Sequence, residues 1–253
     1  MKRVHVKFPA AVAAMAAAFL LGATPASAQV QWIGRGFVTV GAGVQTGSQT
    51  VTTVSRQDVY EETATFTARR DIDSGPFFEI SGGYRVWRNL LVGVGYSRFS
   101  DSGSAAIEAA IPHPEVFDTF RTATTTADAL DHSEQAFHVT ATWMIPLTTK
   151  FEVGVFGGPS FYSIKQSYVS SVAFSEVGQP YTTVNLGIPV VDEASESAVG
   201  FHLGADVTYL LTPRIGVIGS LKFSGANAKF DAIDDVEVDA GGPQFGVGLR
   251  YRF

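Results

Sequence analysis

The chain has 253 residues, no cysteine and a formal net charge of −6. Without cysteine there is no disulfide framework, thiolate metal site or cysteine nucleophile, and an acidic chain without a basic stripe is a poor ligand for nucleic acid. With 26 glycines, 19 phenylalanines and only 17% charged residues, the composition is too apolar for a disordered chain. It points to lipid around much of the surface.

Residues 1–28 read as an address. Lys2, Arg3 and Lys7 give a positive start, Val12 to Leu21 is apolar and Ala-rich, and Ala26-Ser27-Ala28 offers small residues for cleavage. This predicts a Sec-type signal peptide removed after Ala28, leaving one domain over 29–253. Pro9 and the short apolar run argue against a membrane-anchoring helix, and no later stretch is long and apolar enough to be one.

Eight segments with a period of two follow. In the first, Val38, Val40, Ala42 and Val44 alternate with Phe37, Thr39, Gly41, Gly43 and Gln45. In the second, Phe78, Ile80, Tyr84 and Val86 alternate with Glu79, Ser81, Gly83 and Arg85; in the third, Val92, Val94 and Tyr96 with Gly93, Gly95 and Ser97. Phe137, Val139, Ala141, Trp143 and Ile145 then alternate with His138, Thr140 and Thr142, and Phe151, Val153 and Val155 with Glu152 and Gly154. The sixth opposes Val199, Phe201, Leu203, Ala205, Val207, Tyr209 and Leu211 to Gly200, His202, Gly204, Asp206 and Thr208. The seventh opposes Ile215, Val217, Leu221 and Phe223 to Arg214, Gly216, Ser220 and Lys222. The last opposes Phe245, Val247, Leu249, Tyr251 and Phe253 to Gln244, Gly246, Gly248, Arg250 and Arg252. Such alternation puts one set on each face of a strand, and about ten residues is the length a tilted strand needs to cross a bilayer.

Connections alternate between short (Trp87-Arg88-Asn89, Pro146 to Lys150, Thr212-Pro213) and long and polar (roughly 48–75, 101–134, 166–196 and 228–241). That segregation predicts an all-β fold: an eight-stranded antiparallel up-and-down transmembrane barrel, with turns at the periplasmic end and loops outside. A soluble sandwich has no reason to sort its loops by length. Aromatic residues bracket the apolar band at both ends. Trp32, Trp87, Trp143, Phe151 and Tyr251 or Phe253 mark the periplasmic side; Tyr96, Phe99, Phe137, Phe161 and Phe223 mark the other. Strict alternation from Val86 points Trp87 inward, against this pattern.

The leader, the eight alternating segments and the ending Arg250-Tyr251-Arg252-Phe253 resemble the small outer-membrane barrel families: the OmpA transmembrane domain, OmpX, OmpW and related opacity-type proteins of the porin family. The resemblance implies a Gram-negative outer-membrane location. It also implies that Phe253, Tyr251, Leu249, Val247 and Phe245 form the signal read by the barrel-assembly machinery. Unlike OmpA proper, the chain stops at the last strand, so no peptidoglycan tether is implied. The expected surroundings are outer-membrane lipid and lipopolysaccharide around a monomer, with no cofactor, no metal and no nucleic acid.

An eight-stranded barrel is just wide enough for side chains to fill it. The inward set contains Arg35, Arg85, Lys222, Arg250 and Arg252 against Glu79, Glu152 and Asp206, with His138 and His202 among them. Charges in that space must pair with one another or with trapped water. They form either a structural polar core or a gated narrow pore whose ion pairs exchange partners. The long loops are acidic, with Asp101, Glu108, Glu115, Asp118, Asp128, Asp131 and Glu134 against Arg121, and Asp231, Asp234, Asp235, Glu237 and Asp239 in the last. They lack the EF-hand spacing and read as solvated charge runs. Ile107, Ile111, Val116, Phe117 and Phe120, with Val169, Val172, Phe174 and Val177, are too apolar for plain loops. Strands continuing past the membrane, a short lid, or an entrance for hydrophobic ligands would each explain them. A lipid-modifying enzyme would need Ser, His and an acid together; His138 with Thr140, and Asp101-Ser102 near His113 and His132, do not have that spacing, so no catalytic residue is assigned. The preferred role is a non-enzymatic envelope barrel with a structural or surface-interaction function. The alternatives are a narrow pore or conduit for ions or small hydrophobic molecules, and a loop-mediated adhesin.

Overall fold

A computed structural model describes residues 34–230 and 236–253. The signal peptide expected over 1–28, Trp32, and Asp231, Asp234 and Asp235 lie outside the described residues. The described chain forms ten antiparallel strands: β1 Gly36–Gln45, β2 Gln49–Val59, β3 Glu62–Ile72, β4 Gly75–Trp87, β5 Leu90–Pro112, β6 Phe120–Pro146, β7 Phe151–Glu176, β8 Val184–Leu210, β9 Ile215–Phe230 and β10 Val236–Arg252. Eight of them close a ring, β1-β4-β5-β6-β7-β8-β9-β10, with β10 paired back onto β1. The eight-membered ring therefore stands, but the strand count is ten. The stretch expected as a polar loop over 48–75 is largely a hairpin, β2–β3, whose second strand pairs with the upper part of β5. Tyr60 and Glu61 turn it with φ of 52° and 66°, the left-handed pair of a type I′ turn built without glycine.

Closure is tightest at the short-turn end. The Phe253 carbonyl accepts from the Arg35 and Gly36 amides at 2.8 and 2.9 Å, and its own amide donates to Gly36 O at 3.0 Å. The Phe253 ring lies where a β-carbon on Gly36 would stand, 2.6 Å from it. Two of the three short turns share one chemistry. Leu147-Thr148-Thr149-Lys150-Phe151 and Leu211-Thr212-Pro213-Arg214-Ile215 each use the threonine hydroxyl to accept the amides two and three residues on. In the third, a register shift between Arg85 and Trp87 re-aims the tryptophan. Trp87 is exposed, with the Arg88 guanidinium 5.2 Å from its ring centre. The bulge corrects the inward position expected from strict alternation.

The long strands β5 to β8, of 23 to 27 residues, continue well past the apolar band; at about 3.3 Å per residue, 98–112 adds roughly 45 Å of chain. Side-chain chemistry inverts at the end of the band while the alternation holds its phase there; bulges farther out, at Asp128-Ala129 on β6 and after Val169 on β7, shift the phase only within the extension. In β5, Val92, Val94 and Tyr96 face out and Gly93, Gly95 and Ser97 face in. Beyond Ser97 the outward residues are Arg98, Ser100, Ser102, Ser104 and Glu108, and the buried ones are Phe99, Ala105, Ile107, Ala109 and Ile111. The same exchange falls between Gln135 and Phe137, between Phe161 and Ser163, and between Ser197 and Val199. Phe99 is consequently buried inside and does not belong to the outer aromatic girdle, whereas Phe137, Phe161, Phe201 and Phe223 are exposed at that level.

Two apolar clusters fill the interior beyond the band. One joins Phe77, Phe99, Tyr162, Ile164 and Phe230 across the barrel mouth. The other joins Val59, Phe66, Ile107, Ile111, Leu130, Val169 and Val172 inside the extension. Extended strands thus account for Ile107, Ile111, Val169 and Val172, whereas Val116, Phe117, Phe120 and Val177 are exposed at or near the tips. Replacing Phe253 by glutamate is expected to put a charge on the closing seam and to lower the heat-modifiable folded form several-fold; normal surface levels would contradict the role given to this residue.

Candidate functional site

The lumen is assembled in layers from the inward positions of the ring. At its floor Arg250 makes a two-pronged bond to Asp206, Nη1–Oδ1 3.2 Å and Nη2–Oδ2 2.9 Å. It also donates to Thr39 and Thr208 at 3.1 Å, and its guanidinium stacks 4.4 Å over the Phe37 ring. Glycines leave the room for this. Gly216 stands opposite Arg250 in the register, and a β-carbon on Gly154 would sit about 3.0 Å from the Asp206 carboxylate. Arg252 pairs with Glu152 in the same layer. All four charges are nearly inaccessible, so each depends on its partner to offset a desolvation cost of several kcal/mol. Arginine suits the task because its planar fork matches a carboxylate.

The next layer holds Lys222, paired with Glu79 across the barrel from β9 to β4. Beside it runs a hydrogen-bonded chain. Ser97 Oγ is 2.9 Å from His138 Nε2, and His138 Nδ1 is 2.8 Å from Ser160 Oγ. Ser160 Oγ is in turn 2.9 Å from His202 Nδ1, and His202 Nε2 is 3.0 Å from Thr140 Oγ1. The two imidazole centres are 4.7 Å apart. All four ring nitrogens of His138 and His202 are hydrogen-bonded to Ser or Thr hydroxyls. A cavity of about 70 Å³ lies between these layers.

Of the residues expected to share the lumen, Glu79, His138, Glu152, His202, Asp206, Lys222, Arg250 and Arg252 are brought together in three ion pairs and one hydroxyl–imidazole chain. Arg85 is half-buried at the rim of the floor. Arg35 is a correction: it is exposed, because it precedes the first residue of β1 and has no wall to point through.

Further polar clusters lie beyond the band. At the mouth His132 is bonded to Gln166 at 2.7 Å and to Glu134 at 3.1 Å, and Glu134 also accepts from Gln45 and from the Gly241 amide. Inside the extension Arg70 pairs with Asp101 at 3.2 Å. At the tips buried Arg121 holds Glu176 and donates to the Pro112 and Tyr181 carbonyls, while Tyr60 donates to Glu176 at 2.8 Å. Arg121 and Tyr60 hold the Glu176 carboxyl below the usual carboxylate range, and the bond to Glu176 raises the Tyr60 phenol. Asp118 and Glu62, Gln179 and Glu115, and His113 and Pro180 complete a net joining the β2–β3, β5–β6 and β7–β8 tips. Of these residues, Asp101, Glu115, Asp118 and Glu134, with Arg121, read from the sequence as acidic loops. The available signal was parity, since counting back in twos from His138 reaches Glu134 and His132.

A family match agrees with this architecture. The family described as outer membrane protein beta-barrel domain matches residues 14–253. No curated protein matches the sequence. Similar solved structures include OprG from Pseudomonas aeruginosa, 10% identical over 87% of this chain and 96% of that one with a TM-score of 0.46. Neisserial surface protein A is 14% identical over 86% and 97%, with a TM-score of 0.40. The outer-membrane protease OmpT from Escherichia coli is 9% identical over 87% and 97%, with a TM-score of 0.41. With a family match across almost its whole length and a closed ring that is apolar on the outside, the chain belongs to the outer-membrane β-barrel proteins and resides in the outer membrane.

Proposed function

We propose that this barrel is a non-enzymatic membrane anchor for a rigid surface platform, and that the platform serves surface interaction. The continuation of β5 to β8 past the lipid band, with its own apolar core and cross-tied tips, is the observation that carries the proposal. Burying Ile107, Ile111, Leu130 and Val172 at about 25 cal/mol per Å² of apolar surface lets the extension hold its shape away from lipid. An ordered tip loses less conformational freedom on binding than a loose loop. The exposed apolar residues Phe117, Val116, Tyr60 and Val177 stand at or beside those tied tips, where a partner would meet them first.

A closed floor favours an anchor over a pore. Opening the lumen to the periplasm would require parting Arg250 from Asp206 and Arg252 from Glu152, both out of reach of bulk water. The histidines belong to the hydrogen-bonded core and serve no chemistry. Lipid and lipopolysaccharide surround a single copy, which the barrel-assembly machinery inserts through the Phe245 to Phe253 seam.

Arg250→Leu is expected to cost about 3–5 kcal/mol by leaving Asp206 buried without a counter-charge, and adding Asp206→Leu should recover most of the loss. Urea unfolding of the folded barrel measures both; a neutral single variant would contradict the floor as drawn. Replacing 101–130 and 167–194 by short turns and removing 48–74 should leave a heat-modifiable barrel at normal surface levels. Attachment of cells to other cells or to matrix should fall at least tenfold. Unchanged attachment, or steady unitary conductance of the intact protein in planar bilayers, would sink the platform proposal.

A further inference from the structure

The tips differ in chemistry from the extension that carries them. Along the extension the water-facing side is built from small polar residues, among them Ser102, Ser104, Thr122, Thr124 and Thr126. At the tips Tyr60, Val116, Phe117, Phe120 and Val177 are exposed, Phe117 to 78%. The tip segments 58–63, 112–121 and 176–183 also carry six carboxylates, Asp58, Glu61, Glu62, Glu115, Asp118 and Glu176, against one arginine. That arginine, Arg121, is buried and paired with Glu176, so these segments expose no lysine or arginine. Among the described residues no hydrogen bond or ion pair occupies the Glu61 or Asp118 carboxylate; Asp118 joins the net through its backbone amide alone.

The backbone singles out some of the same residues. Tyr60, Glu61, Asp118 and Tyr181 have φ of 52°, 66°, 56° and 55°. This left-handed region suits glycine and is unfavourable for a tyrosine or a glutamate. Strain of that kind persists only where the surroundings hold it, and it gathers at ligand clamps. Two tips set an aromatic ring and a carboxylate side by side in the chain, Tyr60-Glu61 in one and Phe117-Asp118 in the other. The bond from the Asp118 amide to the Glu62 carboxylate ties the two together. A ring next to a carboxylate is the complement of a guanidinium, which lays its flat face on the one and forks its N–H groups to the other. The barrel floor shows the arrangement complete, with Arg250 4.4 Å over Phe37 and two-pronged on Asp206. At the tips the same two groups, ring and carboxylate, are exposed to water.

We propose that the tips bind an arginine-bearing protein segment, whose guanidinium groups stack on Phe117 and Tyr60 and pair with Asp118 and Glu61. The proposal rests on the surface-platform reading and names the chemistry of its partner. Anionic partners meet the carboxylates left over once Glu176 is paired, and are repelled. Lysine is the weaker fit, because its ammonium is a compact, strongly hydrated point charge without a flat face. The test uses the full-length barrel in phosphatidylcholine nanodiscs and fluorescence anisotropy of a labelled peptide with arginines set among leucine, glycine and serine. Its twins carry lysine or glutamate at the arginine positions. The arginine peptide should bind at least tenfold more tightly than the lysine peptide, the glutamate peptide should not bind, and added salt should weaken the arginine complex. Phe117→Ser and Asp118→Asn should each weaken it at least fivefold; both side chains lie outside the ties, and asparagine tolerates the left-handed backbone. Glu61→Gln gives the same readout on the second tip, and Ser104→Ala on the extension should change nothing. Equal affinity for the arginine and lysine peptides, or arginine binding that survives Phe117→Ser, Asp118→Asn and Glu61→Gln, would overturn the proposal. If trimming the extension abolishes cell attachment while the arginine peptide fails to bind, this partner is wrong and the platform stands. Tip-dependent arginine binding with unchanged attachment keeps the site and removes the platform role.

Discussion

A strand has only two faces, and this barrel threads the same strands through two solvents. Side chains alternate with a period of two and cannot change faces without a bulge, so lipid demands apolar residues outside and water demands them inside. The molecule meets both demands by exchanging chemistry while keeping phase, between Ser97 and Phe99 on β5 and between Phe161 and Ser163 on β7. That exchange sets the level of the outer membrane surface, separates a polar lumen from an apolar extension, and allows four strands of more than twenty residues to remain ordered on both sides of it.

The lumen follows from the first half of this constraint. Where lipid takes the apolar faces, polar residues are left to fill a space too narrow for bulk water. Charge then has to be arranged in pairs that reach across the barrel, as Lys222 does to Glu79 and Arg252 to Glu152. Glycines opposite the long side chains make the space, Gly216 facing Arg250 and Gly154 facing Asp206. The mouth belongs to neither half. There Gln45, Glu134 and Gln244 hold a polar layer beneath the apolar cluster, at the level where β1 stops pairing with β10.

Much of this was legible from alternation alone. The outward set of β10, from Phe245 to Phe253, and the inward set Arg250, Arg252, Asp206, Glu152 and Lys222 need nothing beyond counting in twos. Parity failed where backbone geometry intervened. Trp87 faces out because a register shift follows Arg85, and Arg35 faces solvent because the strand begins one residue later. The β2–β3 hairpin was hidden by a Tyr60-Glu61 turn without glycine, although Ala64, Phe66 and Ala68 alternate with Thr63, Thr65 and Thr67 just after it. The acidic residues over 101–134 suggested solvated loops because charge was read without its face. Asp101 in fact points inward to Arg70, and Glu134 caps the lumen.

The inversion can be measured by attaching an environment-sensitive fluorophore, one position at a time, to outward sites along β5 and reconstituting the barrel in bilayers with brominated acyl chains. A probe at Val94 should be strongly quenched, while probes at Ser104 and Glu108, on the same face of the same strand, should not be. Quenching at 104 and 108 equal to that at 94 would place the whole strand in lipid and contradict the exchange on which the fold and its surface platform rest.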